Sequence, residues 1–102
     1  MTENPIIMNV VDQILDICNP HMIILFNKKY DLFDNLTSFK LCVIVPDDVD
    51  ANELECNLYL ELDCENPFDV LIYRNSEWNN LREDEASFAS TISKTGVVLY
   101  EL

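Results

Sequence analysis

Glycine and histidine occur once each in this 102-residue chain, as Gly96 and His21. One glycine, close to the C-terminal end, excludes a glycine-rich loop whose backbone N–H groups could close on a phosphate. One histidine, beside Pro20 and without an evident base or nucleophile partner, argues against Cys–His catalysis and reads as structural. The four cysteines, Cys18, Cys42, Cys56 and Cys64, include no C-x-x-C pair, so no zinc-ligand spacing is present. Positive charge is also scarce, with six Lys and Arg against nineteen Asp and Glu and a formal charge of −13. Affinity for nucleic acid comes largely from cations that neutralise phosphates, so direct nucleic-acid binding is not expected, and neither is an anionic membrane surface. No apolar run reaches the ~20 residues of a membrane span. The opening MTENP is polar and acidic, unlike a secretion signal. These features lead us to expect a reducing, cytoplasmic setting.

Apolar residues make up 49% of the chain, which excludes the disordered class. The length suits one domain, residues 1–102, with a modest core. The organising stretch is Ile23–Val45, IILFNKKYDLFDNLTSFKLCVIV. Two apolar, β-branched runs, Ile23–Phe26 and Leu41–Val45, flank a polar connection and read as buried neighbouring strands.

The remaining elements follow in order. Asn4-Pro5 starts a helix, with Ile7, Val10, Val11, Ile14, Leu15 and Cys18 at helical spacing and Asn19-Pro20 as its stop. Strands are expected at Met22–Phe26 and Phe39–Val45, joined by Asn27–Ser38. An acidic segment with a capping aspartate then opens a helix. Within it Leu54–Leu62 also alternates like a strand, and the acidic start favours helix. Phe68–Tyr73 forms a third strand. Ser76 is expected to cap a short helix carrying Trp78 and Leu81, with Trp78 in the core. A helix over Glu85–Lys94 presents Phe88, Ala89 and Ile92, and Gly96 is expected in the left-handed conformation beyond it. Val97–Tyr100 closes as a strand. Such alternation implies an α/β (α+β) fold, a small mixed sheet with helices packed on it.

Pro20 leading into IILF, the FDVLIY strand with Asp69, and the ending GVVLYE together resemble the minimal nucleotidyltransferase domain of the DNA polymerase beta superfamily. The resemblance spans most of the chain and implies a nucleotidyltransferase-like sheet. In that family a Gly-Ser follows the first strand and an Asp-x-Asp lies on the second. Here Asn27-Lys28 stand for Gly-Ser. Asp-x-Asp aligns with Phe39-Lys40-Leu41 or, one residue earlier, with Ser38-Phe39-Lys40. Neither register contains a carboxylate, and the resemblance implies that Asp69 is a vestige of the third acid. Magnesium requires hard oxygen ligands, which Phe39 and Leu41 lack, and Lys40 would repel the cation.

We therefore expect no catalytic residue, metal or cofactor, and a protein-binding or regulatory module. By resemblance the partner is a basic HEPN-domain protein of a toxin–antitoxin-like pair; acidic charge would steer such an encounter. A homo-oligomer is also compatible. Two alternatives are an active enzyme with magnesium and ATP on displaced acids Asp31, Asp34 and Asp69, and a metal-free nucleotide or anion sensor using Lys28, Lys29 and Lys40. The plainer readings are turn residues for Asp31 and Asp34, a solvated loop tip for Lys28 and Lys29, and backbone bonding for Asp69.

Overall fold

The computed structural model describes residues 3–102. Met1 and Thr2, which open the polar MTENP stretch, lie outside the described residues. Four helices and four strands follow in the order α1 (Pro5–Ile17), β1 (Met22–Tyr30), β2 (Leu36–Val45), α2 (Ala51–Glu61), β3 (Phe68–Arg74), α3 (Asn75–Leu81), α4 (Phe88–Thr95) and β4 (Val97–Glu101). The sheet order is β3-β2-β1-β4. β1 runs antiparallel to β2 and β4, and β2 runs parallel to β3. This is the mixed sheet with packed helices that the pattern implies.

β2 is buried on both faces, which is why it reads as a nearly continuous apolar run. Phe39, Leu41, Val43 and Val45 enter one core with Ile7, Val10, Val11 and Ile14 of α1 and Leu54 and Leu58 of α2. Cys42 and Ile44 enter a second core with Trp78 of α3 and Ala89 and Ile92 of α4. The period-2 alternation of β2 thus feeds two helical layers.

Local chemistry sets the helix starts. The Asn4 Oδ1 accepts the Ile6 N–H at 2.8 Å, with Pro5 at the first helical position. The Asp50 Oδ1 accepts from the Asn52 and Glu53 N–H groups, both at 3.1 Å. The ambiguous Leu54–Leu62 segment is accordingly helical up to Glu61, with Leu54, Leu58 and Leu62 buried and Cys56 and Leu60 exposed. The Tyr59 hydroxyl accepts the Val70 N–H at 2.8 Å, satisfying a donor of the edge strand β3.

Four local expectations change. The connection Asn27–Ser38 is mostly strand, because the ladder continues through Lys28–Phe39, Lys29–Ser38 and Tyr30–Leu36. Backbone groups make that ladder, so polar side chains do not end it. Ser76 is not the cap of α3; its own N–H donates to the Asp47 Oδ1 at 2.8 Å, so a residue 29 positions away satisfies the helix start. α4 begins at Phe88 rather than Glu85, with the Ser87 hydroxyl accepting the Ser90 N–H at 3.0 Å. Gly96 is extended, with φ −74° and ψ 162°. It is glycine for lack of space, since a Cβ there would lie 2.6 Å from the Ile92 carbonyl oxygen and closer still to an Ile24 methyl.

Candidate functional site

One row across the sheet gathers three positions that the sequence singles out. Asn27 on β1 pairs with Lys40 on β2, and Lys40 pairs with Asp69 on β3. A bulge creates this row. Leu25 pairs with Leu41 and Asn27 with Lys40, leaving Phe26 as the extra residue, so Asn27 shares the rung and face of Lys40. The Lys40 Nζ lies 4.0 Å from the Asp69 Oδ2. Both side chains are substantially exposed, so solvent screens the pair.

The row separates the β2 residues that face Asp69 from those that do not. Phe39 and Leu41 are fully buried against α1 and α2, on the face away from Asp69. Carboxylates at those positions would point into the core. In the earlier register, Ser38 and Lys40 share the face of Asp69, while Phe39 fills the core beneath. Phe39 and Leu41 are therefore packing residues, and Ser38 and Lys40 are β2 residues on the face of Asp69. In neither position is there a carboxylate.

The three lysines do not converge. Lys28 pairs with Phe39 and lies on the opposite face from Lys40, where its Nζ contacts the Glu3 Oε1 and Oε2 at 3.0 and 3.3 Å. Glu3 also accepts the Asn4 N–H at 3.0 Å; this bond, with the ammonium group, holds its carboxyl below the usual range. No spacing in the sequence signals the contact between Glu3 and Lys28. Lys29, opposite Ser38, shares the face of Lys40 one rung further out.

The displaced acids do not gather either. Asp31 lies four residues beyond Asn27, about 13 Å along an extended strand. Its carboxylate is engaged in a turn, accepting the Phe33 N–H at 2.8 Å and the Asn35 N–H at 3.0 Å. Those backbone donors lower its pKa. Asp34, in the same turn, has φ 61°. Among the described residues no group of three or more His, Cys, Asp and Glu side chains could hold a metal ion.

Beside the row is a pocket of about 260 Å³ lined by Phe26, Asn27, Lys40, Phe88, Thr91 and Thr95, with Ile92 at its floor. The Phe26 and Phe88 rings meet edge to face, 5.5 Å between centroids. The Asn27 Oδ1 is buried without a hydrogen-bond donor among the described residues. The contributions of Phe26, Thr91 and Thr95 were not evident in the sequence; they depend on α4 folding back over the β1 bulge.

The remaining candidates are structural. The His21 N–H donates to the Ile44 carbonyl at 2.7 Å, and its own carbonyl accepts the Leu102 N–H at 2.9 Å, closing one end of the sheet. Trp78 is buried beside Tyr73, with ring centroids 5.6 Å apart. All four cysteines are free. Burial pushes the Cys42 thiol up to about 12 and also raises that of Cys18. Among the described residues no helix is long and apolar enough to cross a membrane. Comparison with family models, curated proteins and solved structures finds no match.

Proposed function

We propose that this chain is a nucleotidyltransferase-like module that has lost catalysis and acts by binding a basic protein. The observation that carries this reading is the Asn27–Lys40–Asp69 row. Nucleotidyl transfer needs carboxylates to hold magnesium against the reacting oxygens. Here Asp69 faces an ammonium group at 4.0 Å, and Ser38 and Lys40 occupy the other two positions. A fixed cation opposes a divalent ion where the chemistry would need one. The charge of −13 favours association with a basic surface. By resemblance, a HEPN-domain protein of a toxin–antitoxin-like pair fits, in a cytoplasmic setting compatible with four free thiols.

Calorimetric titration with ATP, with and without magnesium, tests the loss of catalysis. We expect no magnesium-dependent heat at millimolar nucleotide; tight magnesium-dependent binding would overturn the reading. Passing extract of the source cells over the immobilised chain tests the partner. A basic protein released by raised salt is expected, and retention of none removes that half of the proposal.

The pocket favours a second reading, a metal-free sensor of a small anion. Lys40 supplies a cation, and the Thr91 hydroxyl lines the same pocket as a donor. ATP binding in the magnesium-free arm would replace the first reading with this one.

A further inference from the structure

The β1–β2 ribbon extends beyond its neighbours. β4 pairs with β1 only from Met22 to Leu25, and β3 pairs with β2 only from Phe39 onward. The end of the ribbon therefore has two open edges. Its turn carries Leu32 and Phe33, which are 99% and 84% exposed, with Tyr30 at 42% behind them. Neither Leu32 nor Phe33 belongs to a core cluster. Their apolar surface has no folding role, and exposed apolar surface of this kind marks contact sites.

The turn is built to hold that pair outward. Besides its bonds to the Phe33 and Asn35 amides, Asp31 donates its N–H to the Asn35 carbonyl at 2.9 Å. Asp34 takes the left-handed conformation, which Asp tolerates. A tip already fixed in this way loses little freedom on binding. An aromatic and an aliphatic side chain on a rigid prong match the few buried anchors that dominate interface energies.

Charge selects the occupant. The Asn66 Nδ2 donates to the Leu36 carbonyl at 2.7 Å, which ties the loop carrying Asp63 and Glu65 to the ribbon root. Asp31 and Asp34 lie at the tip. Against these four carboxylates are Lys28, already bound to Glu3, and Lys29. A second copy, also at −13, would meet like charge, and an anionic bilayer would do the same.

We propose that the Leu32–Phe33 hairpin tip is the docking prong of this protein and inserts into an apolar pocket rimmed by Lys or Arg on a basic protein partner. The proposal rests on the reading above and names the surface it uses.

The test places a photoreactive benzoylphenylalanine at position 33 of the full chain, or at the exposed Leu60 position of α2 as a control, in the source cells. Adducts are identified by mass, and the captured protein is purified and titrated by calorimetry against the native chain and the double variant Leu32→Ser/Phe33→Ser. The expected result is a basic protein joined at 33 and not at 60, whose affinity falls about thirtyfold or more in the double variant while its thermal melt is unchanged. A basic protein that binds the double variant as well as the native chain overturns the prong and leaves the basic-partner reading in place. No basic adduct at either position overturns both. Adducts between copies of the chain overturn the choice of occupant. So does co-sedimentation with phosphatidylcholine vesicles that the double variant loses.

Discussion

Lys40 and Asp69 are register partners on the parallel strands β2 and β3, and their charged ends stand 4.0 Å apart on an open face of the sheet. Their exposure makes the pair a weak contributor to stability and a strong marker of register. Asp69→Asn should cost less than about 0.5 kcal/mol in urea unfolding, as screened surface pairs do.

The same register permits a gain-of-binding prediction. The double variant Ser38→Asp/Lys40→Asp puts two carboxylates on the face that already holds Asp69. It should acquire a magnesium site on this face of the sheet. For a dissociation constant near 1 mM, 10 mM magnesium would add about 1.4 kcal/mol of stability. The check is thermal melting with and without magnesium. Phe39→Asp/Leu41→Asp, the other register, should unfold the chain instead.

Phe39 and the tip pair give opposite expectations for similar truncations. Phe39 is fully buried and stacks on Phe68, with ring centroids 6.0 Å apart. Phe39→Ala should cost about 3–5 kcal/mol through lost burial and a cavity. Phe33→Ala and Leu32→Ala should stay within about 0.5 kcal/mol. Urea denaturation measures all three, and a large cost at Phe33 would show a packing role for the tip.

At Gly96 the obstacle is space rather than backbone angle. Gly96→Ala should cost about 1–3 kcal/mol, because the added methyl meets the Ile92 carbonyl and the Ile24 side chain. Asn tolerates the left-handed conformation, so a left-handed glycine would accept it better than Ala. Here Gly96→Asn should be at least as damaging, as judged by thermal melting of the two variants.

Cys42 predicts an alkaline limit. Its thiol is raised from an ordinary 9.0 to about 12 by burial. The unfolded chain loses that proton near pH 9 and the folded chain only near 12, so between those values the unfolded state binds fewer protons and stability falls as pH rises. Below pH 9 the contribution is complete. The loss from this group reaches about 4 kcal/mol at most by pH 12. Tyr73, raised first by burial and then by Cys42 and Glu77, acts in the same direction. Cys42→Val should flatten the decline in urea midpoint across this window, and Cys56, which is exposed, should react with a thiol reagent at pH 8 long before Cys42 does.

Every expected helix and strand is present, and the elements that begin where expected carry local signals. Asn4-Pro5 begins α1 and Asp50 begins α2 with their own side chains, and the alternation of Phe39–Val45 specifies a strand buried on two faces. The boundaries that moved depend on distant partners. Lys28 and Lys29 extend β1 because β2 offers them backbone groups, and Ser76 needs no capping side chain because Asp47 reaches it from the end of β2.

The site divides along the same line. The order of residues alone shows that no glycine loop stands at Asn27–Lys28 and no paired carboxylates stand at Ser38–Leu41. Which of Ser38, Phe39, Lys40 and Leu41 face Asp69 is a question of strand parity, since a slip of one residue exchanges the two faces. Only pairing across three strands, with the extra residue Phe26 in β1, answers it: Lys40 joins Asn27 and Asp69, and Lys28 turns away to Glu3.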